Sequence, residues 1–196
     1  MPQTPPPPGP GAPGAQAGPA TGPEDLVRAG VPVEHLQIGE CILSRRPVLV
    51  TTVLGSCVAV TFHHAPTGTG AICHAMLPGG AGPGSGGMGP CRCVDTAVAA
   101  ILGRLDALKL SRRELVVKLF GGGFTIQPER KGPLRDIVDV GRKNVEAARR
   151  ELARHGLTPA GEKVLGDRGR KLFFHTASGE IWLRFVNAPA QATTRE

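Results

Sequence analysis

The sequence predicts a single α/β domain, a mostly antiparallel or mixed β-sheet sandwich flanked by helices. Short apolar runs bounded by Gly and Pro outnumber helical periodicities, and the two kinds are interleaved along the chain. A length of 196 residues with 40% hydrophobic content is enough for one buried core. No internal repeat interrupts this pattern.

Residues 1–30 are predicted to be a disordered Pro/Gly/Ala-rich tail. Nine of the nineteen prolines and five glycines fall in residues 1–23, a composition that favours extended polyproline-like chain over packing. At its end, Glu24 to Gly30 has the makings of a short helical turn. The folded domain is predicted over 31–188, with 189–196 a disordered C-terminus. "VEHLQIGECILSRR" and "PVLVTTVL" read as extended segments. "CVAVTFHH" and "GAICHAMLP" flank "APTGTG", whose proline and glycines mark the turn of a β-hairpin. Residues 79–90, with seven glycines in twelve positions, predict a mobile surface loop. Val94, Val98, Ile101, Leu105 and Leu108 then form one helical stripe. "ELVVKLFGGG" reads as a buried strand ending in a glycine turn. A second helix is predicted from Gly141 to His155, stopped by Gly156. "KLFFHT" and "GEIWLRF" close the chain as two strands around "ASGE".

Composition excludes several classes. No apolar run approaches the roughly 18 residues of a membrane span, so no membrane insertion is expected. The N-terminus lacks the basic start and apolar stretch of a secretory signal. The net charge of +7 is spread along the chain, and one Trp with no Tyr offers little for base stacking, so no nucleic-acid partner is expected. Five cysteines are an odd number without an export signal, and reduced thiols in a cytoplasmic protein are the expectation.

The stretch "TTVLGSCVAV" carries the chemistry. A strand breaks at Gly55-Ser56 and delivers Cys57 immediately afterwards. In an antiparallel hairpin, residues equidistant from the turn face each other. Cys57 and His74 are centred between Ala65 and Pro66, so they are expected to be opposite, or neighbours if the register slips by two. An imidazole beside a thiol takes its proton and produces a nucleophile able to attack a carbonyl carbon. Backbone N–H groups at the Gly55–Ser56–Cys57 break are expected to hold a developing oxyanion. A core-packing thiol remains the alternative from geometry alone.

These residues resemble the CheD family of chemoreceptor glutamine deamidases. "VLGSCVAV", then "CHAMLP" with its histidine seventeen residues after the cysteine, "VDTAV", "FGGG" and "VGRKNVEAARRELARHG" are similar to that family in order and spacing over about residues 35–186. The resemblance implies Cys57 as nucleophile, His74 as base and Thr51 as the group that orients the histidine. It implies cofactor-free hydrolysis of receptor glutamine side chains to glutamate through a thioester, on methyl-accepting chemotaxis receptors. It also implies a fold related to deamidating toxins, and a CheC-type phosphatase as partner. Cys73 before the histidine and Lys143 before Asn144 depart from the family pattern.

Gly121 and Gly122 of "FGGG", which lacks the Lys-Ser/Thr of a phosphate loop, read as a tight turn near the site. Together with Asn144 they are possible substrate-binding positions. Cys73, His74, Cys91 and Cys93 could be assembled into a zinc site, but the Cys-x-Cys spacing is poor for one and no metal is assigned. His63 and His64 are expected to be solvated at the turn, and His155 and His175 structural. A non-enzymatic regulator binding receptor and phosphatase, or a zinc-dependent interaction domain, are the readings of a different class.

Overall fold

A computed structural model of the chain describes residues 22–79, 90–123, 140–186 and 193–196. The strands are β1 (Val33–His35), β2 (Cys41–Ser44), β3 (Leu49–Leu54), β4 (Val58–His64), β5 (Thr69–Ala75), β6 (Leu115–Gly121), β7 (Gly161–Val164), β8 (Arg170–His175), β9 (Ile181–Phe185) and β10 (Thr193–Arg195). The helices are α1 (Pro23–Arg28), α2 (Val94–Ala107) and α3 (Val140–Arg154). Two five-stranded sheets form, ordered β1-β3-β8-β9-β10 and β2-β5-β4-β6-β7. All pairings are antiparallel except β1 with β3 and β6 with β7. This is the mixed α/β sandwich that the apolar runs predict.

The strand period of two sorts side chains into layers. Between the sheets lie Val50, Leu54, Leu172 and Phe174 from one side and Ala59, Ile72 and Phe120 from the other. The far face of the second sheet presents Val58, Val60, Phe62, Ala71 and Cys73 to Val98, Ile101 and Leu105 of α2 and to Val145, Ala148 and Leu152 of α3. The far face of the first sheet packs Leu49, Phe173 and Trp182 against Leu26 of α1. Residues 23–28, placed with the tail on composition, therefore form a helix on the outer face. Thr193–Arg195, placed in the C-terminal tail, pair with β9. The proline-rich stretch 1–21 and the loop residues 80–89 lie outside the described residues.

The β4–β5 hairpin forms around a short 3₁₀ turn, Ala65–Thr67, followed by Gly68 in the left-handed region at φ 61°. His63 and His64, expected to be solvated there, are buried. His63 bonds the Ala177 carbonyl, and His64 bonds Thr67 and Glu114.

The expectation of reduced thiols throughout is corrected by Cys41 and Cys91, which are joined in a disulfide with Cα atoms 5.9 Å apart. Their separation of 50 residues hid this pairing, which arises because the start of β2 and the segment leading into α2 flank the same end of β5.

Candidate active site

β3 leaves the first sheet at Leu54, turns through Gly55-Ser56 and enters the second as β4 at Val58. Cys57 sits in this crossover. The hairpin register pairs Val58 with Ala75 and Ala59 with His74. It is thus slipped by two from a centre that would set Cys57 opposite His74, and the two residues are diagonal neighbours. Such neighbours have backbones roughly 7–8 Å apart, within reach of side chains as long as these. Cys57, Ala59 and His74 share the face that looks into the space between the sheets, where Cys57 packs at the edge of the inner core. Cys57 is partly exposed, in contrast to the buried Cys73.

His74 is 2% exposed, and its ring is fixed on one side only. Nδ1 lies 2.8 Å from Thr52 Oγ1, which in turn donates to the Leu36 carbonyl at 2.8 Å. A carbonyl can only accept, so the threonine hydrogen is committed to Leu36 and Thr52 Oγ1 accepts from Nδ1–H. That relay leaves Nε2 as the basic nitrogen. Nε2 is buried and makes no hydrogen bond among the described residues. Beside the ring opens a groove of about 300 Å³, lined by Leu36, Ile38, Thr51, Thr52, Val53 and Lys171 among others.

The orienting hydroxyl is therefore that of Thr52, not Thr51. Thr51 pairs with Phe173 and Thr52 with Leu172. Leu172 belongs to the inner layer and Phe173 to the outer one. A shift of one residue along a strand reverses the face. Among the described residues the buried Thr51 hydroxyl has no hydrogen-bond partner, and Thr51 shares the outer face with Phe173, away from His74.

Burial governs the charges. It raises the Cys57 thiol above its ordinary value, partly offset by the residue's own backbone N–H, and it lowers His74. Both shifts favour the neutral thiol and the neutral imidazole. Cys73 points into the helix-side core at 0% exposure, and burial raises its thiol to about 11. The neighbouring thiol is thus on the opposite face from the base and closed to labelling reagents.

Gly121 and Gly122 are turn residues, as read, but they hold the site rather than line it for substrate. Both have positive φ, 103° and 64°. A Cβ on Gly121 would collide with the Cys57 carbonyl oxygen, and one on Gly122 with Val145 and the Gly141 carbonyl. Gly122 N donates to the Cys57 carbonyl at 2.8 Å and Gly123 N to the Gly55 carbonyl at 2.7 Å. Asn144 is likewise no substrate-facing group. It is 0% exposed, and its Nδ2 donates to the Ser56 and Met76 carbonyls at 2.9 and 3.0 Å. Lys143 is exposed, so that departure from the family pattern faces solvent.

The assembled zinc site does not form. Cys91 is in the disulfide and Cys73 faces away from His74. Among the described residues, no group of three or more His, Cys, Asp or Glu is placed to hold a metal ion. No helix among them is long and apolar enough to cross a membrane.

Comparison with known proteins agrees with the motifs. The family model described as CheD chemotactic sensory transduction matches residues 76–185, a span that begins just after His74. A Nitratidesulfovibrio vulgaris protein named probable chemoreceptor glutamine deamidase CheD is 53% identical over 167 residues, 81% of this chain and 84% of its own length. A protein of that name from Oleidesulfovibrio alaskensis is 43% identical over 173 residues, 88% and 82% of the two chains. One from Geobacter sulfurreducens is 41% identical over 157 residues, 80% and 92%. Among solved structures, a Neisseria meningitidis protein aligns over 73% of this chain and 66% of that one, with TM-score 0.38 and 14% identity, a likeness too weak to bear on the fold. On the strength of the sequence relatives and the family match, this chain belongs to the CheD family.

Proposed function

We propose that this chain hydrolyses glutamine side-chain amides of methyl-accepting chemotaxis receptors to glutamates, with Cys57 as nucleophile, His74 as base and Thr52 as the residue that sets the imidazole. One observation carries the reading. A partly exposed thiol and a buried imidazole share the inner face, and among the described residues the ring nitrogen turned away from Thr52 has no hydrogen-bond partner. The names of the relatives supply the substrate class.

The chemistry follows from that arrangement. As Cys57 Sγ bonds to the amide carbon, its proton passes to His74 Nε2, and the carbonyl electrons move onto oxygen. The Nδ1–H bond to Thr52 strengthens as the ring becomes cationic. Collapse of the intermediate breaks the carbon–nitrogen bond, and the imidazolium proton leaves on ammonia. Water then attacks the thioester, giving its proton to Nε2. The carbon–sulfur bond breaks to release glutamate, and the proton returns to the thiol. Amide plus water thus becomes acid plus ammonia, with no cofactor required by the balance. A CheC-type phosphatase is proposed as a second partner, drawn from the family resemblance.

The test is incubation of a purified receptor cytoplasmic fragment with wild type and with Cys57→Ala, followed by peptide mass spectrometry for Gln-to-Glu conversion. Conversion by wild type and none by the variant is expected. A receptor left unmodified by wild type, yet still bound, would favour the regulator reading instead.

A further inference from the structure

The crossover that presents Cys57 is held from behind by a side chain the proposed chemistry does not use. Asn144, near the start of α3, is completely buried, and one amide group spans two carbonyls from separate strands' ends. Ser56 O belongs to the peptide just before the nucleophile, and Met76 O lies two residues beyond the base. Carbonyls accept and cannot donate, so this assignment of the amide is forced. Oδ1 has no hydrogen-bond partner among the described residues. A buried acceptor left unsatisfied is costly, and its persistence points to a demand placed on Nδ2. The helix comes close enough only because Gly122 and Gly141 have no side chains, each lying where a Cβ would strike the other's backbone.

The consequence lies in the peptide geometry. The Ser56–Cys57 peptide is trans, so its C=O and N–H point in opposite directions. With Ser56 O drawn toward Asn144, the Cys57 N–H is turned away from the helix. No backbone carbonyl accepts it among the described residues. An N–H free of backbone partners and beside the attacking atom is where an oxyanion donor must be.

We propose that Asn144 is a positioning residue, locking the Ser56–Cys57 peptide in the orientation that aims the Cys57 N–H at the developing oxyanion while tying that peptide to the strand bearing His74. Without the lock the peptide is free to rotate, presenting a carbonyl where the donor should be. This inference rests on the deamidase reading. Loss of one oxyanion donor costs about 10²–10³ in kcat.

The experiment compares wild type, Asn144→Ala and Asn144→Ser on the receptor fragment, with kcat, KM, melting temperature and the alkylation rate of the Cys57 peptide all measured. Alkylation by iodoacetamide uses the thiol but no oxyanion. For Asn144→Ala, kcat is expected to fall on the order of 100-fold while KM and Cys57 alkylation stay within about threefold of wild type. Asn144→Ser retains one hydroxyl donor and is expected to recover part of kcat. If kcat and alkylation fall together, or the serine variant recovers nothing, Asn144 is a structural residue and the proposal fails. A folded Asn144→Ala with near wild-type kcat overturns it too. If wild type itself modifies no glutamine, the deamidase reading falls first, and the catalytic role of Asn144 with it.

Discussion

Replacing Thr52 by Val tests the relay from the Leu36 carbonyl to His74 at constant side-chain shape. The substitution leaves two buried groups without their partner, the Leu36 carbonyl and the Nδ1–H of His74. Each orphaned group costs about 1–3 kcal/mol, and the adjoining groove admits water to offset part of this, so a loss of about 2 kcal/mol is expected. For a domain of this size that is a fall of roughly 4–8 °C in melting temperature. The catalytic effect is larger than a neutral hydrogen bond would suggest, because the ring is cationic at the transition state. A bond to a charged group is worth about 1.5–3 kcal/mol, and each 1.36 kcal/mol is tenfold in rate, so kcat should fall roughly tenfold to a hundredfold. Thr51→Val is the control. Its buried hydroxyl has no hydrogen-bond partner among the described residues, so exchanging it for methyl should leave activity near wild type and stability equal or slightly higher. Receptor-fragment mass spectrometry reads the rate, and thermal circular dichroism reads the stability. Loss of activity in the Thr51 variant with retention in the Thr52 variant would refute the assignment of faces.

Two further outcomes follow from burial and from the cross-link. Burial lowers His74 and His175 below the ordinary 6.5 of histidine, so the unfolded chain binds more protons than the native one as pH falls below that value. Stability from these groups is fully present above 6.5 and declines on acidification toward their folded values, and His74→Gln should flatten part of that slope in melts between neutral and acid pH. The same shift keeps the base neutral, so the acid limb of kcat/KM should lie below 6.5; a limb above it would contradict a buried, unpaired ring. The Cys41–Cys91 bridge closes a separation of 50 residues, for which chain entropy assigns about 4 kcal/mol. Non-reducing peptide mapping should recover that cross-link, and reductant should lower the melting temperature by roughly 10 °C; a map showing both thiols free would rule the bridge out.

The alternation and glycine punctuation of the sequence were sufficient for the fold class, the β4–β5 hairpin, both longer helices and the shared face of Cys57 and His74. These are local signals: strand period, turn residues and a spacing that two neighbouring strands convert into proximity. β7 and β10 were not legible, since "GEKV" and "TTR" lack an apolar alternation and owe their pairing to the partners beside them. The choice between Thr51 and Thr52 was closed to the sequence for a different reason. β3 is buried on both faces over most of its length, so "LVTTVL", with its two threonines adjacent, shows no alternation and carries no parity. Asn144 was read as a possible substrate contact because its place in a family motif was visible while its burial was not. The sequence by itself determined the family, the fold class and the hairpin that sets Cys57 and His74 on one face. Only the tertiary structure decided which threonine meets the imidazole, which cysteines meet each other and which way Asn144 turns, because each depends on contacts between segments far apart in the chain.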